Sequence, residues 1–232
     1  DSIRNDIKLI KPMNRVLCGD VGFGKTEVAM RSCYISVFSN KQVVIVTPST
    51  VLCDQHNNSF LKRFENFPVS VTKLNRHTGT KEKQKIIDDF KNKKIDILIT
   101  THIAFNNNLD FSNVGLLIID EEHKFGVRQK EQIRSLKSGI NVISLSATPI
   151  PRTLNLSLSK VRDISLITTP PTGRKSVKTI VSRYSKSLVF EAIQREFYRD
   201  GQVFYLLNNV SMLEERSEEH TSELQSRQYL VC

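Results

Sequence analysis

The apolar positions of this chain gather into short, nearly uninterrupted runs: Val43-Val44-Ile45-Val46-Thr47, Ile95-Asp96-Ile97-Leu98-Ile99, Val114-Gly115-Leu116-Leu117-Ile118-Ile119-Asp120 and Val142-Ile143-Ser144-Leu145. A strand that buries one face alternates apolar with polar residues. A run that is apolar throughout belongs to a parallel strand covered on both faces. Arg15-Val16-Leu17-Cys18 and Val69-Ser70-Val71-Thr72-Lys73-Leu74 read as two further strands. Between the runs, apolar residues space out at helical intervals. Ile3, Ile7 and Ile10 share one face of a helix over residues 2 to 9, which Pro12 ends. Helices are also expected from Thr26 to Phe38, from the Pro48-Ser49-Thr50 turn through Leu52, Gln55, His56 and Phe60, and from Lys81 to Asn92 with Ile86, Ile87 and Phe90 facing inward. The alternation, to about residue 168, predicts an α/β fold on one parallel sheet, with ligands at the carboxyl ends of its strands.

Thr169-Pro170-Pro171-Thr172-Gly173 then reads as a linker. Beyond it, a strand over Val177 to Ser182, a helix over Lys186 to Tyr198, a turn at Asp200-Gly201 and a strand over Gln202 to Leu207 predict the opening of a second α/β domain. The expected division is 1–168 for the first domain, 169–175 for the linker and 176–215 for the truncated second. Residues 216–232, RSEEHTSELQSRQYLVC, carry no hydrophobic period and resemble the conceptual translation of a sequencing adapter. That tail is expected to be non-native and is set aside from fold and function. With no initiator Met, the chain is expected to be cut from something longer.

Composition narrows the class. The 232 residues are 39% hydrophobic and 25% charged, enough for a core and a solvated surface. No apolar run nears the ~18 residues that suggest a membrane span, and no signal peptide is visible. A net charge of +10 points to a polyanion such as nucleic acid, or to a plain lysine-rich surface. Cys18, Cys33, Cys53 and Cys232 form no C-x-x-C pair, so reduced thiols in a cytoplasmic protein are expected rather than zinc or disulfides.

Two motifs carry chemistry. Gly19-Asp20-Val21-Gly22-Phe23-Gly24-Lys25-Thr26 fits G-x-x-x-x-G-K-[ST] between a strand and a helix. Its glycines let the backbone bend so that N–H groups close on phosphate oxygens, helped by the positive end of the helix. Lys25 is expected at the β- and γ-phosphates, and the Thr26 hydroxyl at Mg²⁺. The run ending in Asp120-Glu121-Glu122-His123 is a Walker B arrangement. Asp120 would bind Mg²⁺ through water, and Glu121 would position or deprotonate the attacking water. Two weaker cues accompany them. Pro48-Ser49-Thr50 could hold a phosphate or simply cap a helix. Ser146-Ala147-Thr148 could sense Walker B or be an ordinary turn.

Taken together, GDVGFGKTEVAMR (19–31), VTPSTVLCDQH (46–56), ITTH (99–102), LLIIDEEHKFGVRQKE (116–131) and LSATPIPRTLN (145–155) resemble the motor of superfamily 2 DNA translocases, and among them the bacterial transcription-repair coupling factors. The resemblance covers about residues 7 to 215. It implies a RecA-like P-loop NTPase lobe followed by the start of a second, in a protein that hydrolyses ATP to move along double-stranded DNA, displaces stalled RNA polymerase and recruits excision-repair proteins. Carried over by residue, Gly19, Gly22, Gly24, Lys25 and Thr26 hold ATP and Mg²⁺, and Asp120 and Glu121 are the hydrolytic pair. His123 couples the site to DNA. Pro48, Ser49, Thr50, Arg76, Thr101 and His102 lie in motifs that track the DNA backbone, and Ser146, Ala147 and Thr148 form the coupling motif. The stretch Arg76 to Thr80 is less family-like, Asn14 stands where an Asp is usual, and Asn208-Asn209-Val210 departs from the usual Asn-Arg-Val or Asn-Asp-Val. The branched-DNA helicases of the RecG type share the Phe-Gly-Val and Ala-Thr-Pro-Ile-Pro-Arg-Thr strings and are the near alternative. A plain ATP- and DNA-binding module is the alternative for this polypeptide by itself.

Overall fold

The computed structural model describes residues 2–7, 9, 11–106, 109–136, 139–147, 162–173, 177 and 179–206. The chain divides into two compact units, Asp1–Arg174 and Lys175–Cys232.

Among the described residues, seven strands run through the first unit: β1 (Asn14–Gly19), β2 (Gln42–Val46), β3 (Val71–Leu74), β4 (Ile97–Thr100), β5 (Val114–Asp120), β6 (Asn141–Ser146) and β7 (Asp163–Ile167). They form one sheet in the order β3-β4-β2-β5-β6-β1-β7, and every neighbouring pair is parallel. Parallel neighbours need a crossover, and helices supply most of them.

The apolar runs serve two cores at once because side chains alternate across a strand. Val43 and Ile45 of β2, Ile97 and Ile99 of β4, Leu116 and Ile118 of β5, and Ile143 and Leu145 of β6 face one side. There they meet Ile3 of α1 (Ser2–Asp6), Ala29, Met30 and Cys33 of α2 (Lys25–Val37), and Cys53, Phe60 and Phe64 of α3 (Thr50–Phe64). Val44, Val46, Leu98, Leu117, Ile119 and Val142 face the other side. Their partners there include Ile86 and Phe90 of α4 (Thr80–Lys91) and Ile133 of α5 (Val127–Leu136). Each fully buried Leu, Ile, Val or Phe contributes about 1.5–3 kcal/mol.

A strand apolar on both faces loses the usual penalty against a one-residue slip. Side-chain amides at the amino ends of the strands, buried at Gln42 and half-buried at Asn141, pin the register instead. The Gln42 amide donates to Phe90 O (2.8 Å) and Ile95 O (2.7 Å) and accepts from Asn113. Asn141 accepts from Met13 N at 2.9 Å and donates to Gly115 O at 3.1 Å. Gly115 is itself required, since a Cβ there would stand 2.6 Å from Lys41 Cβ.

Two elements escape the apolar pattern. β7 is a half-buried edge strand, Asp-Ile-Ser-Leu-Ile, without a continuous apolar run. The α5 sequence, Val-Arg-Gln-Lys-Glu-Gln-Ile-Arg-Ser-Leu, is mostly polar, with Val127, Ile133 and Leu136 its only apolar residues.

In the second unit, α6 (Lys186–Tyr198) forms where expected. The strands expected over 177–182 and 202–207 do not form among the described residues. Val177 (85%), Val181 (94%), Phe204 (91%) and Leu206 (91%) are almost fully exposed. A strand needs a ladder partner for its N–H and C=O groups, and the described residues of this unit offer none. The tail 216–232 lies outside the described residues. Among the described residues, no helix is long and apolar enough to cross a membrane.

Candidate functional site

The carboxyl ends of the parallel strands form one rim, and the sheet order sorts the rim into two groups. β1, β6 and β5 bring Gly19–Thr26, Ser146 with Ala147, and Asp120–His123 side by side. β2, β4 and β3 bring Pro48–Thr50, Thr101 with His102, and Arg76. Thr148 lies outside the described residues.

In the first group, β1 ends at Gly19. A Cβ there would meet Ile167 Cβ at 3.1 Å, so glycine lets β7 close against the root of the loop. Gly22 (φ 78°) and Gly24 (φ 83°) are left-handed, a region that costs other residues about 1–2 kcal/mol. Asp20 shapes the turn: its carboxylate accepts from Val21 N at 2.8 Å and its carbonyl from Phe23 N at 3.2 Å. Gly24 caps α2, and its carbonyl accepts from Glu27 N and Val28 N. Among the described residues, the N–H groups of Gly22, Gly24, Lys25 and Thr26 have no acceptor. Lys25 Nζ sits in the loop, donating to Gly19 O (2.7 Å) and Asp20 O (3.1 Å). Unpaired N–H groups, an ammonium and a helix N-terminus together make an anion cradle.

The three acids at the end of β5, Asp120 as its last residue and Glu121 and Glu122 just after it, occupy three different environments. Asp120 is nearly buried, and its Oδ2 lies 2.9 Å from His56 Nε2 of α3. Glu121 is left-handed at φ 50°, a strained position for a side chain with a Cβ, and its N–H is pinned to Leu145 O at 3.0 Å. Its Oε2 is buried and accepts no hydrogen bond, with His123 Nδ1 3.3 Å away and off line. Glu122 is held in a fork by Arg162, whose Nη1 and Nη2 donate at 2.9 and 3.1 Å, and it also accepts from Ser144 Oγ at 2.6 Å. A buried carboxylate oxygen with no hydrogen bond of its own, as at Glu121, has the capacity to accept from a water molecule. Nearly buried Asp120 can offer Mg²⁺ an oxygen. Among the described residues, no three His, Cys, Asp or Glu side chains cluster as a metal cage. A Mg²⁺ carried by phosphates and one or two protein oxygens needs none.

In the second group, Ser49 Oγ accepts from Leu52 N at 3.2 Å, so the serine is a helix cap. Thr47 Oγ1 donates to Ser49 O and Thr100 O, tying the β2 and β4 ends together. Thr101 is 3% exposed and lies beneath the surface, while its neighbour His102 is exposed. Arg76 is exposed, with its Nε donating to His77 Nε2 at 3.3 Å. Asp54 of α3 accepts from Lys73 Nζ (2.6 Å) and Asn75 Nδ2 (3.4 Å), binding the helix to the loop that carries Arg76.

His56 and Arg162 are the residues the motif reading did not assign. A histidine in the helix after β2 is a readable signal once β2 is known to lie beside β5. Arg162, just ahead of an unforeseen edge strand, carries none. The thiols are chemically quiet. Burial pushes Cys53 up to about 11, with the charge of Asp54 adding, and burial raises Cys18 against the opposing charge of Lys25.

Comparison with known proteins locates this arrangement. Residues 5–156 match the family model of DEAD/DEAH box helicases. The transcription-repair-coupling factor of Haemophilus influenzae is 46% identical over 231 residues, covering 100% of this chain and 20% of that protein. Its counterpart in Escherichia coli K12 is 48% identical over 206 residues, 89% of this chain and 18% of that protein. The structure of RecG bound to a three-way DNA junction matches with a TM-score of 0.78 at 33% identity, over 96% of this chain and 30% of that one. The DUF1998 helicase MrfA, 18% identical with a TM-score of 0.69, shares the fold. The chain spans about a fifth of the length of the curated relatives it matches.

Proposed function

Because this chain belongs to the DEAD/DEAH box helicase family, we propose that it is the first RecA-like lobe, with the start of the second, of an ATP-dependent double-stranded-DNA translocase acting in transcription-coupled repair. The observation that carries the motor reading is the presence, at the ends of β1 and β5 on either side of β6, of an open anion cradle and a buried carboxylate that accepts no hydrogen bond. The identity of 46–48% to coupling factors over 89–100% of the chain supports the choice of pathway.

In this reading the N–H groups of Gly22, Gly24, Lys25 and Thr26 grip the phosphates, and Lys25 turns from the loop carbonyls toward the β- and γ-phosphates. Thr26 Oγ1 and Asp120 would hold Mg²⁺, which when bound screens the charge that gathers on the phosphates. Glu121 orients the attacking water and takes its proton. Ser146, Ala147 and Thr148 report the state of the acidic box. Pro48, Ser49, Thr50, Arg76 and His102 present the surface that follows the DNA backbone, with Thr101 supporting it from beneath. His123, half exposed beside Glu121, faces both tasks. RNA polymerase and excision-repair proteins are the proposed partners of the whole protein, and the bacterial cytoplasm its compartment.

The test is ATP-dependent displacement of a stalled RNA polymerase from duplex DNA by the full-length protein, abolished by Lys25→Ala. The 33% identity to RecG favours a second reading, a branched-DNA helicase. Unwinding of three-way junctions without polymerase displacement would establish that reading instead.

A further inference from the structure

His56 lies at the seam between the two groups of rim loops. β5 stands between β2 and β6, and Val46 of β2 is level with Ile119 of β5, so Thr47 and Asp120 leave the sheet side by side. α3 begins directly after the β2 loop, with Ser49 as its cap. Its register sends His56 back across the sheet end, where Nε2 meets Asp120 Oδ2 at 2.9 Å. Both side chains are nearly buried, 11% and 12% exposed. An ionised Asp120 can only accept, so Nε2 is the donor. The imidazole also packs against Phe60 one turn on.

α3 is fixed to two of the three loops of the second group, those after β2 and β3. Ser49 caps it, and Asp54 ties it to Lys73 and to Asn75, the residue before Arg76. Its inner face is locked by Phe60 and Phe64, and by Cys53, whose thiol donates to Ile99 O at 3.5 Å. A helix held this way moves as one body. Any displacement of Pro48–Thr50 or of the Arg76 loop therefore reaches His56, and through one hydrogen bond it reaches the carboxylate of Asp120.

We infer that His56 is a positioning residue for Asp120, and that its hydrogen bond is the link through which α3 passes nucleic-acid contact at the β2 and β3 loops to the nucleotide half of the rim. The inference rests on the proposed ATP-driven DNA motor. It assigns a role to a residue outside both motifs and places the coupling on the Walker B aspartate.

The experiment uses the full-length protein with four variants: His56→Ala, His56→Gln, which keeps a donor at similar reach, His56→Phe, which fills the space without one, and Asp120→Asn. Two quantities are read: binding of a fluorescent ATP analogue with and without Mg²⁺, and the ratio of hydrolysis rates with and without duplex DNA. We expect His56→Ala and His56→Phe to weaken the Mg²⁺-dependent part of binding about 10-fold, the low end for outer partners of a metal ligand. Nucleotide binding without Mg²⁺ should hold, and the DNA stimulation ratio should fall. His56→Gln should recover most of both. If the Gln and Phe variants behave alike, the imidazole acts by bulk and the inference is overturned, whether or not the Ala variant folds. If Asp120→Asn keeps wild-type Mg²⁺ dependence and hydrolysis, the site reading itself fails, independently of His56.

Discussion

Arg162 closes a two-pronged fork on Glu122, donating from both terminal nitrogens at 2.9 and 3.1 Å. The two side chains are only 22% and 20% exposed, and Ser144 Oγ adds a third hydrogen bond at 2.6 Å. The fork fastens the turn after β5 to the residue just before β7. It immobilises the position immediately following strained Glu121.

Breaking that fork leaves a charge in a poorly hydrated place. Arg162→Ala should destabilise the protein by about 1–3 kcal/mol, less than a fully buried pair because water still reaches both groups. Glu122→Gln should cost less, since the amide can still accept from Ser144. Urea unfolding of both single variants and the double variant gives the coupling energy. Additive effects would show that the fork holds nothing together.

Glu121 holds a backbone conformation that favours glycine. Glu121→Gly should raise stability by about 0.5–1 kcal/mol by relieving the left-handed strain, while removing ATP hydrolysis from the full-length protein. Glu121→Gln should leave stability near wild type and remove hydrolysis as well. Thermal melts and a phosphate-release assay on the same preparations check both.

The chain alone should bind ATP weakly and hydrolyse it near background. Comparable motors gain about 10³–10⁵ in rate from arginines that neutralise transition-state charge, which the proposed function assigns to a second lobe. Robust DNA-stimulated turnover by residues 1–215 would contradict this.

The buried thiols set a pH limit. The Cys53 thiol is raised from 9.0 to about 11, and Cys18 is raised in the same direction. A raised folded-state value means the folded protein keeps a proton that the unfolded chain gives up. The contribution is therefore full below 9.0 and is lost as pH climbs through the window to about 11. Urea midpoints should fall across that window, and Cys53→Ala should flatten the fall. Iodoacetamide should label Cys18, Cys33 and Cys53 only after unfolding.

The fold was legible wherever burial was complete. β2, β4, β5 and β6 are apolar on both faces, so their sequences announce them. β7 and α5 are half-wet, and their residues satisfy solvent as much as structure. The expected strands at 177–182 and 202–207 carry strand-like residues, but a strand is a property of two segments, and the described residues supply one at a time. The loop and the acidic box were readable because their chemistry demands fixed residue types at fixed spacing. His56 and Arg162 were not, because each acquires its meaning from a neighbour far along the chain, Asp120 and Glu122 respectively, that only the sheet order and crossover packing bring close.

Lys25 occupies itself with the carbonyls of Gly19 and Asp20. The loop is thus strung taut by its own side chain, like a bow held at draw. An arriving phosphate meets a curve already fixed at folding, and the ammonium exchanges two neutral oxygens for charged ones. The conformational entropy of that curve falls on the folding of the domain and not on each encounter with nucleotide. The proposed motor, which would capture and release its fuel at every step, could then do both without rebuilding the socket.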